Sequence, residues 1–158
     1  MATEINGSMN VTSFLTIDGE GSTGVTARSG DIKATAGDMV ITSATKGIVH
    51  TNSGTVTQAT NHTTAVTLNA TSGVIQLAAV ALNATVNAEF TVTNSTVQAD
   101  SVILVSVQDE NTTDSVSFTA TTHTIAAGSF IISLHNTLSS GNTSATASKI
   151  HFLVINNS

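Results

Sequence analysis

VNAEFTVTN, residues 86–94, decides how the rest of the chain is read. Val86, Ala88, Phe90 and Val92 alternate with Asn87, Glu89, Thr91 and Thr93. A period of two marks a strand with one dry face and one wet face. Val and Thr are stiff at the first side-chain torsion and pack well on a pleated surface. Similar short runs lie on both sides of this one, and together they predict an all-β chain.

Working outward from that strand, the pattern is regular from Gly54 onward. Strands are predicted near 54–59, 64–70, 73–79, 86–94, 101–108, 114–121, 127–135 and 148–156. The turn signals between them are Asn61-His62, Ser72-Gly73, Asn94-Ser95, residues 109–113, Gly128-Ser129 and residues 139–142. With no Pro in the chain, Gly, Asn, Asp and Ser must make these turns. LAAVALNA, residues 77–84, is Ala-rich but short, and reads as strand then loop, or at most one turn of helix. Short strands at this spacing, eight in number, predict a jelly-roll-like antiparallel sandwich over residues 54–158.

SVILVSV (101–107) and HFLVIN (151–156) are apolar on both faces. A strand of this kind is central in its sheet or covered by another subunit. Ile103, Val105, Val107, Leu153 and Ile155 are therefore candidate subunit-interface residues.

Residues 1–53 have a different character. FLTI carries Phe14, Leu15 and Ile17, and the Gly-rich DGEGSTG follows it. GDIKATA and GDMVITS then repeat Gly-Asp at a spacing of seven. Each copy pairs a turn with a β-prone run, and neither can bury its own face without stacking neighbours. Two ordinary hairpin turns are the simpler account of the same residues. Three of the four cations, Arg28, Lys33 and Lys46, also lie here. We expect a short Gly-Asp-rich β-arm used for attachment or oligomerisation, with Phe14, Leu15, Ile17, Arg28, Lys33 and Lys46 as its contact residues.

Composition narrows the function classes. The chain has 158 residues, 40% of them hydrophobic and 3% aromatic, all of these Phe. The core must be built mainly from Val, Ile, Leu and Ala. Only 9% are charged, against the usual quarter or so, so the surface is Thr, Ser, Asn and Gln. The net charge of −6 and the lack of a basic patch argue against nucleic-acid binding. Without Cys there are no disulfides and no thiolate metal sites. No apolar run approaches the ~20 residues of a membrane helix, and no secretory leader is visible, so we expect a chain made and folded in a cytoplasm.

No motif competes with this structural reading. The five histidines, His50, His62, His123, His135 and His151, contain no pair two, three or four apart, the spacing of local zinc motifs. His135 and His151 fall in predicted strands, where long-range pairing could join them. Asp109, Glu110 and Asp114 could hold Ca²⁺, but they lack the EF-hand spacing and read as a solvated loop. There is no Gly-x-Ser-x-Gly elbow and no phosphate loop leading into a helix. Sugar binding is disfavoured by the absence of Tyr and Trp, the usual stacking platforms. We expect no enzymatic activity, no cofactor and no metal.

The order of features resembles a family. A Gly-Asp region precedes GTVTQAT and TAVTLNATSGVIQL, and then come AEFTVTNSTVQADSVILVSV, HTIAAGSFIISLHN and a final IHFLVIN. This resembles small structural proteins of tailed bacteriophages, especially marine and cyanobacterial ones, in which a jelly-roll-like domain ends the chain. The resemblance covers residues 54–156 well and residues 30–46 loosely. It implies a virion protein made in the bacterial host cytoplasm and placed on the outer capsid surface. There a homotrimer would contact the major capsid protein as a decoration, or cement, protein. The alternatives are a fibre or spike tip that binds a host receptor and, less favoured, a free-standing carbohydrate-binding module. The family pattern carries no catalytic site.

Overall fold

A computed structural model describes residues 47–108, 118–139 and 148–157. The chain divides into two units, Met1–Gly47 and Ile48–Ser158, and the fold below is that of the second. Residues 1–46 of the predicted arm, with both Gly-Asp repeats, lie outside the described residues.

Eight strands are present among the described residues, and no helix. They are β1 (Ser53–Thr57), β2 (Val66–Thr67), β3 (Ser72–Gln76), β4 (Asn87–Thr93), β5 (Val102–Gln108), β6 (Phe118–Ala126), β7 (Ser129–Asn136) and β8 (Lys149–Ile155). They form two four-stranded sheets, sheet A in the order β1-β3-β8-β5 and sheet B in the order β2-β4-β7-β6. No described helix is long and apolar enough to cross a membrane.

Every connection but one crosses from one sheet to the other, the exception being the β6–β7 hairpin. This explains a departure from the antiparallel expectation. The chain leaves sheet A at the end of β1, runs through sheet B as β2, and returns to sheet A as β3 in its original direction. β1 and β3 therefore pair in parallel, and β2 and β4 do so for the same reason. The remaining pairings are antiparallel.

The alternation appears in β4 from Asn87 onward, while Val86, expected on the dry face, precedes the strand and is exposed. Ala88, Phe90 and Val92 are buried, while Asn87, Glu89, Thr91 and Thr93 are exposed. They pack with Phe130, Ile132 and Leu134 of β7, Ile75 of β3, and Ile150, Phe152 and Val154 of β8. Phe130 and Phe152 meet edge to face at 5.8 Å between ring centroids, the geometry favoured by the ring quadrupole.

Three local expectations differ. Ser72-Gly73 is not a turn but the start of β3, paired with Ser53-Gly54 of β1. The two glycines are there for space. A Cβ on Gly73 would lie 2.6 Å from Leu68 and 2.8 Å from the Phe152 ring, and one on Gly54 2.8 Å from Leu68. β2 is cut to two residues, because Leu68 turns inward to fill the room above the glycines. β6 runs on to Ala126 through an irregularity between His123 and Ala126, where Thr124 takes φ +50°. Such a bulge adds twist and re-aims the side chains beside it.

Two ends of the sandwich can now be named. The hairpin end holds residues 68–71, 94–101 and the Ala127-Gly128 turn, whose Gly128 has φ +85°. The histidine end holds residues 58–65 and 77–86, and there β5 and β7 end and β6 and β8 begin.

Candidate functional site

The candidate surface is the outer face of sheet A where β5 and β8 pair. β5 is the edge strand of that sheet. Its alternation sends Ile103 into the core at 6% exposure, and Val105 packs against that core. Val107 has the same parity and is half-buried. This corrects the expected interface set: Ile103, Val105 and Val107 face the interior of their own sandwich. The outward apolar residues of β5 are Val102 and Leu104, 46% and 52% exposed. Sequence reading missed them, although a signal was present. Polar Ser106 and Gln108 share their parity and mark the wet face.

β8 follows the expectation more closely. Ile150, Phe152 and Val154 are buried, Leu153 is half-buried and Ile155 is exposed. The β5–β8 register sets Val102 opposite Ile155 and Leu104 opposite Leu153. The result is a four-residue apolar square on the outside of the sandwich. Beside it, Leu104, Ser106, His151 and Leu153 line a cleft of about 240 Å³. The Thr122 hydroxyl donates to the Ile103 carbonyl at 3.3 Å, which ties β5 to β6 of the other sheet.

Sheet B presents a different outer face. Asn87, Glu89, Thr91 and Thr93 stand beside Ser133 and His135 across the β4–β7 register. His123 Nε2 lies 3.2 Å from the Glu89 carboxylate, reaching diagonally over β7. Its Nδ1 lies 2.9 Å from the Thr124 hydroxyl. His135 hydrogen-bonds Asn87, and on sheet A His151 Nε2 lies 2.9 Å from Gln108 Oε1. His135 and His151 thus point outward from opposite sheets, and the fold does not bring them together. No group of three ligating side chains occurs among the described residues.

His62 has a different fate. It is 3% exposed, and its Nε2 donates to the Val80 carbonyl at 2.8 Å. The ring meets Phe118 edge to face at 5.5 Å. Burial holds its pKa below the ordinary 6.5, against a smaller upward push from the Val80 bond. Beside it, buried Gln58 donates to the Thr64 carbonyl at 2.9 Å and accepts from the Ala78 amide at 3.4 Å. Asn61-His62 is the predicted turn, and Asn61 Oδ1 does accept the Thr63 amide. The burial of the next ring had no local signal.

Phe14, Leu15, Ile17, Arg28, Lys33 and Lys46 lie outside the described residues, as do Asp109, Glu110 and Asp114. No protein-family model matches the chain, and neither a curated protein nor a solved structure matches it.

Proposed function

We propose that this is a virion structural protein of a tailed bacteriophage, a decoration protein that assembles as a homotrimer on the outer capsid and cements major capsid subunits. The observation that carries the reading is the apolar square of Val102, Leu104, Leu153 and Ile155 on an edge strand. A contiguous apolar patch on an outer sheet face marks a surface for association. Covered by a copy of the chain or by a capsid neighbour, it supplies the few anchors that dominate a protein interface. The hydroxyls and amides around it can hydrogen-bond across a wet interface without the desolvation that charges require. On this reading residues 1–53 attach to the shell through Phe14, Leu15, Ile17, Arg28, Lys33 and Lys46. Repetition over the lattice turns weak contacts into firm holding through avidity.

Two measurements test it. Light scattering should find a trimer for the wild type and a monomer for Leu104→Asp, whose side chain lies on the outside of the sandwich. Particles lacking the protein, or carrying Leu104→Asp, should release their genome at a lower temperature than complete particles. Equal release temperatures together with failed host adsorption would replace this reading with the receptor-binding alternative. A wild-type monomer at all concentrations would remove the trimer.

A further inference from the structure

We propose that His62 is an acid-released latch, holding residues 58–65 to residues 77–82 at the histidine end while neutral and letting them part once protonated. The geometry is that of a latch. One ring nitrogen, Nε2, carries the proton that reaches the Val80 carbonyl across the gap between the two loops. The other, Nδ1, is buried and has no hydrogen-bond partner. The Phe118 ring closes one side. Gln58 spans the same two loops through Thr64 and Ala78, so imidazole and amide make parallel ties.

A second proton has only Nδ1 to go to. There it would create a buried cation whose new N–H lacks an acceptor, a combination that proteins avoid strongly. Among the described residues the groups that meet the ring are the Val80 carbonyl and the Phe118 ring, and the Gln58 amide reaches the His62 carbonyl; none of these is charged. Among the described residues the other titratable groups are His50, Glu89, Asp100, His123, His135, Lys149 and His151. Glu89 and His123 are paired on the outer face of sheet B, and His135 and His151 are exposed there and on sheet A. His50 and Asp100 are exposed outside the strands, and Lys149 is half-buried at the start of β8. None of them supplies an anion to hold an imidazolium at position 62.

The direction with pH follows. The folded chain binds this proton less readily than the unfolded chain, whose histidine titrates near 6.5. The latch is whole above that pH. It weakens as pH falls from 6.5 toward the lowered folded value, the open fraction rising by up to about tenfold per pH unit. Opening uncovers Phe118 and the buried Leu77-Ala78 segment. Phe118 lies at the first position of β6 and the other tied residues lie in the two loops, so the change is local to one end.

The test is amide hydrogen exchange between pH 7.5 and 5, corrected for intrinsic exchange, on the full chain and on His62→Gln. In the wild type, protection at Ala78 and Thr64 should fall steeply below pH 6.5, while protection at Asn94 and Val154 stays level. In His62→Gln the first two sites should lose that steep dependence. Should the variant not fold, ring NMR of the wild type decides. A single resonance with Nε2 protonated, titrating below 6.5, agrees. A ring that titrates at or above 6.5, or equal pH slopes in wild type and variant, overturns the latch.

Discussion

The two ends of the sandwich use the same device and differ in what surrounds it. At the hairpin end, fully buried Asn94 follows β4. Its Nδ2 donates to the Ala70 carbonyl at 2.8 Å, and its Oδ1 accepts the Thr96 amide at 3.0 Å and hydroxyl at 2.8 Å. At the histidine end, fully buried Asn136 closes β7. Its Nδ2 donates to the Leu82 carbonyl at 2.8 Å, and its Oδ1 accepts the Leu138 amide at 2.9 Å. In each case one side chain makes an Asx turn and ties a second loop to it. Beyond Asn94 the hairpin end continues in groups that do not titrate near neutral pH. Asn69 accepts the Ser95 amide, Ser101 bonds Asn156, and Asn156 donates to the Thr96 carbonyl. Beyond Asn136, the histidine end relies on His62. One sandwich thus carries one end insensitive to mild acid and one that is sensitive.

That contrast can be broken in graded steps. Asn94→Ala should do most damage, because it removes three hydrogen bonds, strands the Thr96 amide and leaves the Ala70 carbonyl only the Thr96 hydroxyl. Urea unfolding should show a loss of about 3 kcal/mol, unchanged between pH 7.5 and 5. Asn136→Ala, with two bonds at stake, should lose about 2 kcal/mol at pH 7.5 in the same assay. Equal losses would mean that the Thr96 hydroxyl contributes nothing. Gly73→Ala acts at the hairpin end through crowding, since the new methyl meets Leu68, the rigid Phe152 ring and the Gly54 carbonyl. A loss of about 1–3 kcal/mol is expected, with Leu68→Ala as a partly compensating second change. The smallest effect belongs between the ends. Glu89→Gln removes the partner of His123 on the open face of sheet B, where the two side chains are 54% and 41% exposed. It should shift stability by less than about 0.5 kcal/mol.

Strands were easy to read from the sequence and their environments were not. β4 could be assigned to a face because Glu89 and the threonines label the wet side. β5 can be recognised but not oriented by its apolar residues alone, since both faces of SVILVSV are apolar, and in the fold Ile103, Val105 and Val107 are the inner set. Ser72-Gly73 read as a turn because glycine usually breaks a strand. Here it stays in the strand because Leu68 and Phe152 need the volume of the missing side chain. The parallel pairings could not be read, since direction depends on which sheet each strand joins. His62 and Asn136 were illegible for a related reason. What buries them comes from Val80, Phe118 and Leu82, positions that local patterns do not connect.

The crossing of the chain from sheet to sheet at every step but one sets how it must fold. Only β6 and β7 can find each other by closing a tight turn. β4 must wait for β7 before Phe90 meets Ile132, and β3 must wait for the end of the chain before Ile75 meets Ile150. Closing such long loops comes before any reward in burial, which makes pairings of this kind slow. Sheet A has no adjacent pair of strands that are consecutive in sequence. During synthesis, then, β5 has no strand of its own sheet to pair with until β8 has emerged, and β3 has only β1.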